Sequence, residues 1–181
     1  QSNTVTIAEV LKEAGYRTFM TGKWHVNDPV PTDQGFEEFY GFTPGYAVNS
    51  WNPEMMIRLP EGRPDPGYQP GAFFATDAIT DYALRFIQES KQQSPGQPWF
   101  TYVAYQAPHF PLQAPEEDVA RYEKVYRQGW DQLRKERLAR MKSLHIMDQD
   151  AELSPRSSVP IPQMARDHGV PGDLKTNPPW K

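Results

Sequence analysis

Lys23 and His25 lie two positions apart in "GYRTFMTGKWHVN", residues 15 to 27, and a third candidate, His109, lies in "APHFPLQAP". The lysine supplies a fixed positive charge, and each imidazole supplies a titratable one near neutral pH. Together the three residues, called the anion clamp below, could bind an oxyanion such as sulfate or phosphate through charge-assisted hydrogen bonds. Residue type and spacing also leave a second interpretation open, in which the lysine is solvated and both histidines are structural.

The same sequence offers little for a metal ion or a nucleophile. Neither His25 nor His109 belongs to a close-spaced set such as HxH or HExxH. The acidic residues of the loops are not spaced as a calcium loop and suit turn caps better. They are Asp28, Asp33, Glu37 and Glu38. These spacings predict no metal ligands in this chain. No serine in a nucleophile elbow and no phosphate-cradling glycine loop is present either.

Composition narrows the class of protein. The 181 residues carry a formal net charge of -4, and the sequence pI is about 5.6. The chain therefore has no net positive charge to attract a nucleic-acid backbone. No stretch approaches the roughly 18 consecutive apolar residues of a membrane span. The absence of cysteine excludes disulfides, thiolate metal sites and a cysteine nucleophile within these residues. Neither a nucleic-acid partner nor a membrane span is therefore expected.

Two strands must deliver the candidate side chains. Residues 16 to 20 are aromatic and β-branched enough for a strand, and Gly22 is predicted to turn the chain so that the lysine and first histidine emerge at its carboxyl end. "WFTYVAYQ", residues 99 to 106, is typical of a strand buried on both faces, and His109 follows it. Open α/β sheets bind ligands at the carboxyl ends of their strands, so the two histidines occupy equivalent places.

Helices and one long loop complete the pattern. The first helix has Thr6 as its cap, Glu9 to complete a capping box, and Gly15 to end it. Residues 27 to 71 lack a period and are rich in proline, glycine and aromatic residues, which predicts a long loop. Further helices are predicted at about residues 76 to 90, from Pro115 onward, and at 130 to 145 with Leu133, Leu138, Met141 and Leu144 directed inward. The order α, β, loop, α, β, loop, α, α predicts an α/β sandwich.

Three motifs, taken in order, resemble the type I sulfatases. "GYRTFMTGKWH", residues 15 to 25, resembles the family's second signature, in which a G-Y-x-[ST] opening leads through a strand to G-K-W-H. "GFEEFYGF" at 35 to 42 is similar to the segment that follows, and "AYQAPHFPLQAP" at 104 to 115 resembles the later segment with a His-x-Pro element. Val26 and Asn27 depart from the commoner Leu-Gly. The resemblance covers roughly residues 4 to 156.

The resemblance implies a fold, a reaction and cofactors. The implied fold is an alkaline-phosphatase-like α/β sandwich of a mixed sheet between helices, incomplete in this chain, with residues 1–156 part of the catalytic domain and 157–181 an irregular tail. The implied reaction is hydrolysis of an aryl or carbohydrate sulfate ester with a formylglycine and a divalent cation, usually calcium. By motif position, Lys23 and His25 are catalytic and contact the sulfate and ester oxygen, and His109 also binds the sulfate. Which of the three donates the proton stays open.

Departures from the family pattern shape the remaining expectations. The nucleophile signature C/S-x-P-S-R, which the resemblance places before residue 1, and the acidic and amide residues that hold the cation are not found. We therefore expect an internal fragment of a sulfatase that is silent on its own. A phosphate or phosphonate ester hydrolase of the same superfamily, or a non-catalytic binder of sulfated glycans, are the alternatives. Family members are commonly periplasmic, secreted or lysosomal, and the chain itself leaves the location undetermined.

Overall fold

The computed structural model describes residues 4–45, 49–63, 67–69 and 71–155. The chain forms two compact units, Gln1–Gln113 and Ala114–Lys181. The first contains α1 (Ile7–Glu13), β1 (Arg17–Lys23), β2 (Glu38–Phe42), β3 (Ile57–Leu59), α2 (Ala75–Gln93) and β4 (Trp99–Ala104). The second contains α3 (Glu116–Tyr126) and α4 (Trp130–Ser143). The tail from residue 157 lies outside the described residues, and the domain boundary placed there stays a prediction.

Four strands form one mixed sheet in the order β3-β2-β1-β4. β1 is parallel to β2 on one side and to β4 on the other, whereas β2 is antiparallel to β3. One face packs on α2, where Phe19 and Tyr40 of the sheet join Tyr82 and Phe86 of the helix in a buried cluster. The other face packs on α1 through Ala8. The predicted α/β sandwich of a mixed sheet between helices is confirmed.

Local signals define α1 as predicted. Thr6 Oγ1 accepts the Glu9 N–H at 3.1 Å, and Glu9 Oε2 accepts the Thr6 N–H at 2.7 Å, so the capping box is present. The Thr6 hydroxyl also donates to the Gln34 carbonyl at 2.7 Å. At the next residue, Gly35, an added Cβ would come within 2.5 Å of the Glu9 nitrogen. This close approach holds α1 against the segment that leads into β2.

The prediction of a loop over residues 27 to 71 is wrong in part, because that range contains β2 and β3. β2, "EFYGF", is buried along its whole length. Parallel strands are usually joined by a helix, whereas the connection from β1 to β2 contains only a 3-10 turn at Pro31–Gln34. No helical pattern therefore separates β1 from β2 in the sequence. Without that pattern, the sequence does not indicate that a second strand follows.

Two predictions about strand ends also need correction. Gly22 is a residue of β1, which continues to Lys23, so it does not turn the chain. β4 ends at Ala104 and has a single neighbour among the described strands. It is not buried on both faces, because Trp99 and Tyr102 are 40% and 48% exposed.

A buried ion pair ties β2 to β3. The carboxylate of Glu38 contacts the guanidinium of Arg58, and both side chains are less than 10% exposed. The guanidinium carbon of Arg58 lies 4.5 Å from the centroid of the Phe86 ring, which adds a cation–π contact. A second cation, Arg63, reaches the other carboxylate oxygen at 3.3 Å from the surface. The group fixes β3 to the sheet and to α2.

The described part of the second unit, up to residue 155, contains two helices, α3 and α4. α3 begins at Glu116, one residue after the predicted start at Pro115, and α4 ends at Ser143, two residues before the predicted end. No described residue of α4 is buried. Of the four residues predicted to point inward, three are half-buried, Leu133, Leu138 and Met141, and Leu144 is exposed. His145, just beyond the helix, has a φ of 55°.

Candidate active site

The strand register brings the predicted site to one edge of the sheet. Gly22 of β1 is the partner of Ala104, the last residue of β4, and Lys23 is the partner of Phe42, the last residue of β2. The three parallel strands therefore end side by side. Because His25 and His109 follow β1 and β4, the predicted equivalence of their places in the topology is found in the structure.

Gly22 is required where the three strands converge. Its φ is 101°, in the region that favours glycine. A Cβ at Gly22 would lie 1.9 Å from the Ala104 carbonyl oxygen, and a Cβ at Gly41 would lie 1.9 Å from the Gly22 carbonyl oxygen. Any side chain at either position would force neighbouring strands apart at the level of Lys23.

Trp24 anchors the segment that carries the lysine and the first histidine. Its backbone N–H donates to the Phe42 carbonyl at 3.0 Å, and its indole Nε1–H donates to the Pro29 carbonyl at 2.7 Å. The indole also meets the Phe36 ring edge-on, with the centroids 6.3 Å apart. Successive strand residues point to opposite faces, so Lys23 lies on the face opposite the anchored tryptophan.

Both side chains next to Trp24 are available to a ligand. Lys23 is half-buried and His25 is exposed. His25 has a φ of 72°, and its ring lies against Gly45, where an added Cβ would come within 3.2 Å of Nε2. Within the part of the chain that the structure describes, neither side chain has a hydrogen-bond or ion-pair partner. The ammonium charge of Lys23 is thus not neutralised by those residues.

His109 is exposed in residues 105–113, called the histidine loop below. Its Nδ1 lies 2.5 Å from the Phe110 carbonyl oxygen. A carbonyl only accepts hydrogen bonds, so Nδ1 carries the proton in this contact. The backbone N–H of His109 donates to the Gln106 carbonyl at 2.9 Å, which closes a turn around the histidine.

Sequence reasoning missed the contacts that hold the histidine loop. The hydroxyls of Tyr105 and Thr80 lie 2.7 Å apart, joining the start of the loop to α2. At its other end, Gln113 Oε1 accepts the Ser50 N–H at 2.6 Å. The Ser50 carbonyl in turn accepts the N–H of Ala75, the first residue of α2, at 2.8 Å. The partners are 25 and 63 residues apart in sequence, and no local pattern marks them.

The cofactors implied by the resemblance find no place in the described residues. No group of three or more histidine, cysteine, aspartate or glutamate side chains able to hold a metal ion occurs in the described parts of the chain. The 181 residues contain no cysteine, and neither C-x-P-S-R nor S-x-P-S-R occurs among them. Among the described residues no helix is both long and apolar enough to cross a membrane.

Fold and geometry together define an α/β protein with a mixed sheet in which β1 and β4 end side by side, with Lys23 at the end of β1 and His25 and His109 in the segments that follow the two strands. The family model Sulfatase matches residues 1–150. The chain therefore belongs to the sulfatase family, and the predicted family is confirmed.

Individual relatives agree with this assignment. An arylsulfatase of Klebsiella aerogenes is 34% identical over 158 residues, which cover 82% of this chain and 33% of the relative. An N-acetylgalactosamine-6-sulfatase of Canis lupus familiaris is 32% identical over 124 residues, covering 60% of this chain and 23% of the relative. The crystal structure of Ps i-CgsB in complex with k-i-k-neocarrahexaose superimposes with a TM-score of 0.55 at 28% identity, over 69% of this chain and 31% of that one. The chain thus spans about a third or less of the length of these proteins.

Proposed function

We propose that the full-length protein containing this chain hydrolyses sulfuric esters and that the anion clamp holds the sulfate. The observation that carries the proposal is the register of β1 and β4, which sets Lys23 beside the start of the histidine loop in a chain of the sulfatase family. That family assignment favours sulfate esters over the phosphate ester and glycan-binding alternatives.

The chemistry of the three residues suits a sulfate ester. Lys23 and His25 form the catalytic pair of this proposal: the ammonium offsets negative charge on the non-bridging oxygens, which grows as the ester bond breaks. A protonated imidazole can donate to the leaving alkoxide oxygen. His109 Nδ1–H is bound to the Phe110 carbonyl, so in this proposal the ring meets the sulfate through Nε2. Nε2 donates a hydrogen bond when the ring is positively charged.

The two cofactors belong elsewhere in this proposal. Calcium would offset charge on the sulfate, and formylglycine would supply the nucleophile, but neither fits the residues described above. We assign both to parts of the protein outside these 181 residues, and expect the isolated chain to bind sulfate without hydrolysing its esters.

The substrate class we propose is an aryl or carbohydrate sulfate. The names of two relatives support it, since one is an arylsulfatase and the other an N-acetylgalactosamine-6-sulfatase. Turnover of matched aryl and sugar sulfates would show which of the two leaving groups is preferred.

The test is sulfate release by the full-length protein, coexpressed with a formylglycine-generating enzyme and assayed with calcium on 4-nitrophenyl sulfate and a sugar 6-sulfate. Lys23→Ala is expected to lower kcat/KM by about a hundredfold or more, as loss of one oxyanion-stabilising group does. Lys12→Ala, in the last turn of α1, is the matched control and should leave the rate unchanged. No release from either ester, or faster turnover of the corresponding phosphates, would overturn the proposal.

A further inference from the structure

The histidine loop presents a large aromatic ring to solvent directly beside the clamp. Phe110 follows His109 and is 79% exposed. The loop begins immediately after Ala104, the partner of Gly22, so it leaves the sheet beside Lys23. An exposed phenylalanine forgoes the burial that would otherwise stabilise the fold. Its position next to a candidate sulfate-binding imidazole suggests what such a ring could contact.

The loop is bonded to the rest of its unit at both ends and closes a turn of its own, so the ring is carried on a fixed support. Tyr105 is bonded to α2 at the loop's start, Gln113 to the Ser50 N–H at its end, and His109 to the Gln106 carbonyl between them. The Phe110 carbonyl also accepts the Nδ1–H of His109. This bond ties the backbone that carries the phenyl ring to the imidazole, and it limits how far the two groups can move apart.

We propose that Phe110 is a specificity-determining residue that stacks on the ring of the leaving group and so selects aryl and sugar sulfates over open-chain alkyl sulfates. The inference rests on the proposed function. The three non-bridging oxygens of a bound sulfate ester would face the positive groups, and the fourth, which meets the proton donor, carries the leaving group, whose ring then lies at the rim of the clamp. A flat apolar ring at that rim stacks on an aryl ring or on the apolar face of a sugar, and it gains nothing from a methyl group.

The experiment compares two sulfonates that cannot be hydrolysed and that differ only in the ring. Benzenesulfonate and methanesulfonate are titrated into the full-length protein and its variants by calorimetry. Phe110→Ala is expected to weaken benzenesulfonate about tenfold, the scale of one lost aromatic contact together with its buried area, and to leave methanesulfonate unchanged. Phe110→Trp keeps a stacking surface and should retain the preference for the ring.

Leu112→Ala is the matched control, because Leu112 is 76% exposed in the same loop but is not bonded to the histidine; it should alter neither affinity. Equal weakening of both sulfonates by Phe110→Ala would show that Phe110 only positions His109, and an equal ring-specific loss in Leu112→Ala would show that any apolar group on the loop suffices. Either result overturns the inference while leaving the proposed function in place. A wild-type protein that releases sulfate but binds both sulfonates equally also overturns the inference. A wild-type protein that binds neither sulfonate and releases no sulfate overturns the proposed function as well.

Discussion

Replacing Glu38 tests whether the ion pair between β2 and β3 is a main support of the fold. The side chain of Glu38 is 8% exposed and that of its partner Arg58 is 6% exposed. Glu38→Gln keeps the shape of the side chain but removes its charge, so the guanidinium stays buried without an anion. Breaking a buried pair from one side costs about 3–5 kcal/mol. The low exposure of both partners places this pair in that range.

Three further variants set the scale. Arg63→Ala removes the outer cation, whose side chain is 51% exposed, and should cost less than about 1 kcal/mol. Glu37→Gln makes the same substitution one position earlier, in a pair with Arg17 that is more exposed, and should cost less than Glu38→Gln. Combining Glu38→Gln with Arg58→Met removes both buried charges and should recover much of the stability lost in the single variant.

The quantity to measure is the free energy of unfolding of the full-length protein and its variants in urea, which is uncharged and leaves the ion pair unscreened. A loss in Glu38→Gln no larger than in Glu37→Gln would refute the reasoning. A double variant less stable than Glu38→Gln alone would refute it as well, because the cost would then come from lost packing rather than from an unpaired charge.

Two further predictions follow from Gly22 and from Tyr68. Gly22→Ala combines a positive φ with a Cβ 1.9 Å from the Ala104 oxygen and should lower the free energy of unfolding in urea by about 2–5 kcal/mol. At Gly62, φ is 78° and nothing lies within 4 Å, so Gly62→Ala should cost only the backbone strain. Equal losses in the two variants would contradict this account. Partial burial, together with the Asp81 carboxylate 3.1 Å from its hydroxyl, raises the pKa of Tyr68 above its usual range. The unfolded chain then loses this proton first, so stability should fall as pH rises above about 10, and a Tyr68→Phe variant with the same decline in unfolding free energy between pH 9 and 11 would speak against it.

Sequence reasoning succeeds here where the signal is local. The capping box of Thr6 and Glu9 lies within four residues, and it forms as predicted. The apolar face of α2, a helix predicted at about residues 76 to 90, repeats at helical spacing, and its members Ile79, Tyr82 and Phe86 are buried. The edge of the sheet that carries the candidate site followed from the general rule for parallel strands, with no knowledge of which residues pair.

Failures occur where the determining contact is distant. β2 and β3 are strands because they pair with β1 and with each other, not because their letters alternate. The Glu38–Arg58 pair spans 20 positions of a segment without a period, and the sequence favours a turn-capping role for Glu38 instead. In the histidine loop, the support comes from Thr80 and Ser50, which nothing in the loop itself specifies.

Residues 22 to 25 combine four physical requirements in four consecutive positions. Gly22 lets the β4 carbonyl approach, and Trp24 fixes the chain through its indole hydrogen bond and ring packing. Because strand residues alternate, the half-buried Trp24 sets Lys23, the last residue of β1, on the opposite face of the sheet, and the exposed His25 follows it with a φ of 72°. Neither of those two side chains needs a described partner of its own to be held in place, which leaves both free for an anion. The constraint on Trp24 is therefore as much a part of the site as the charges that it separates.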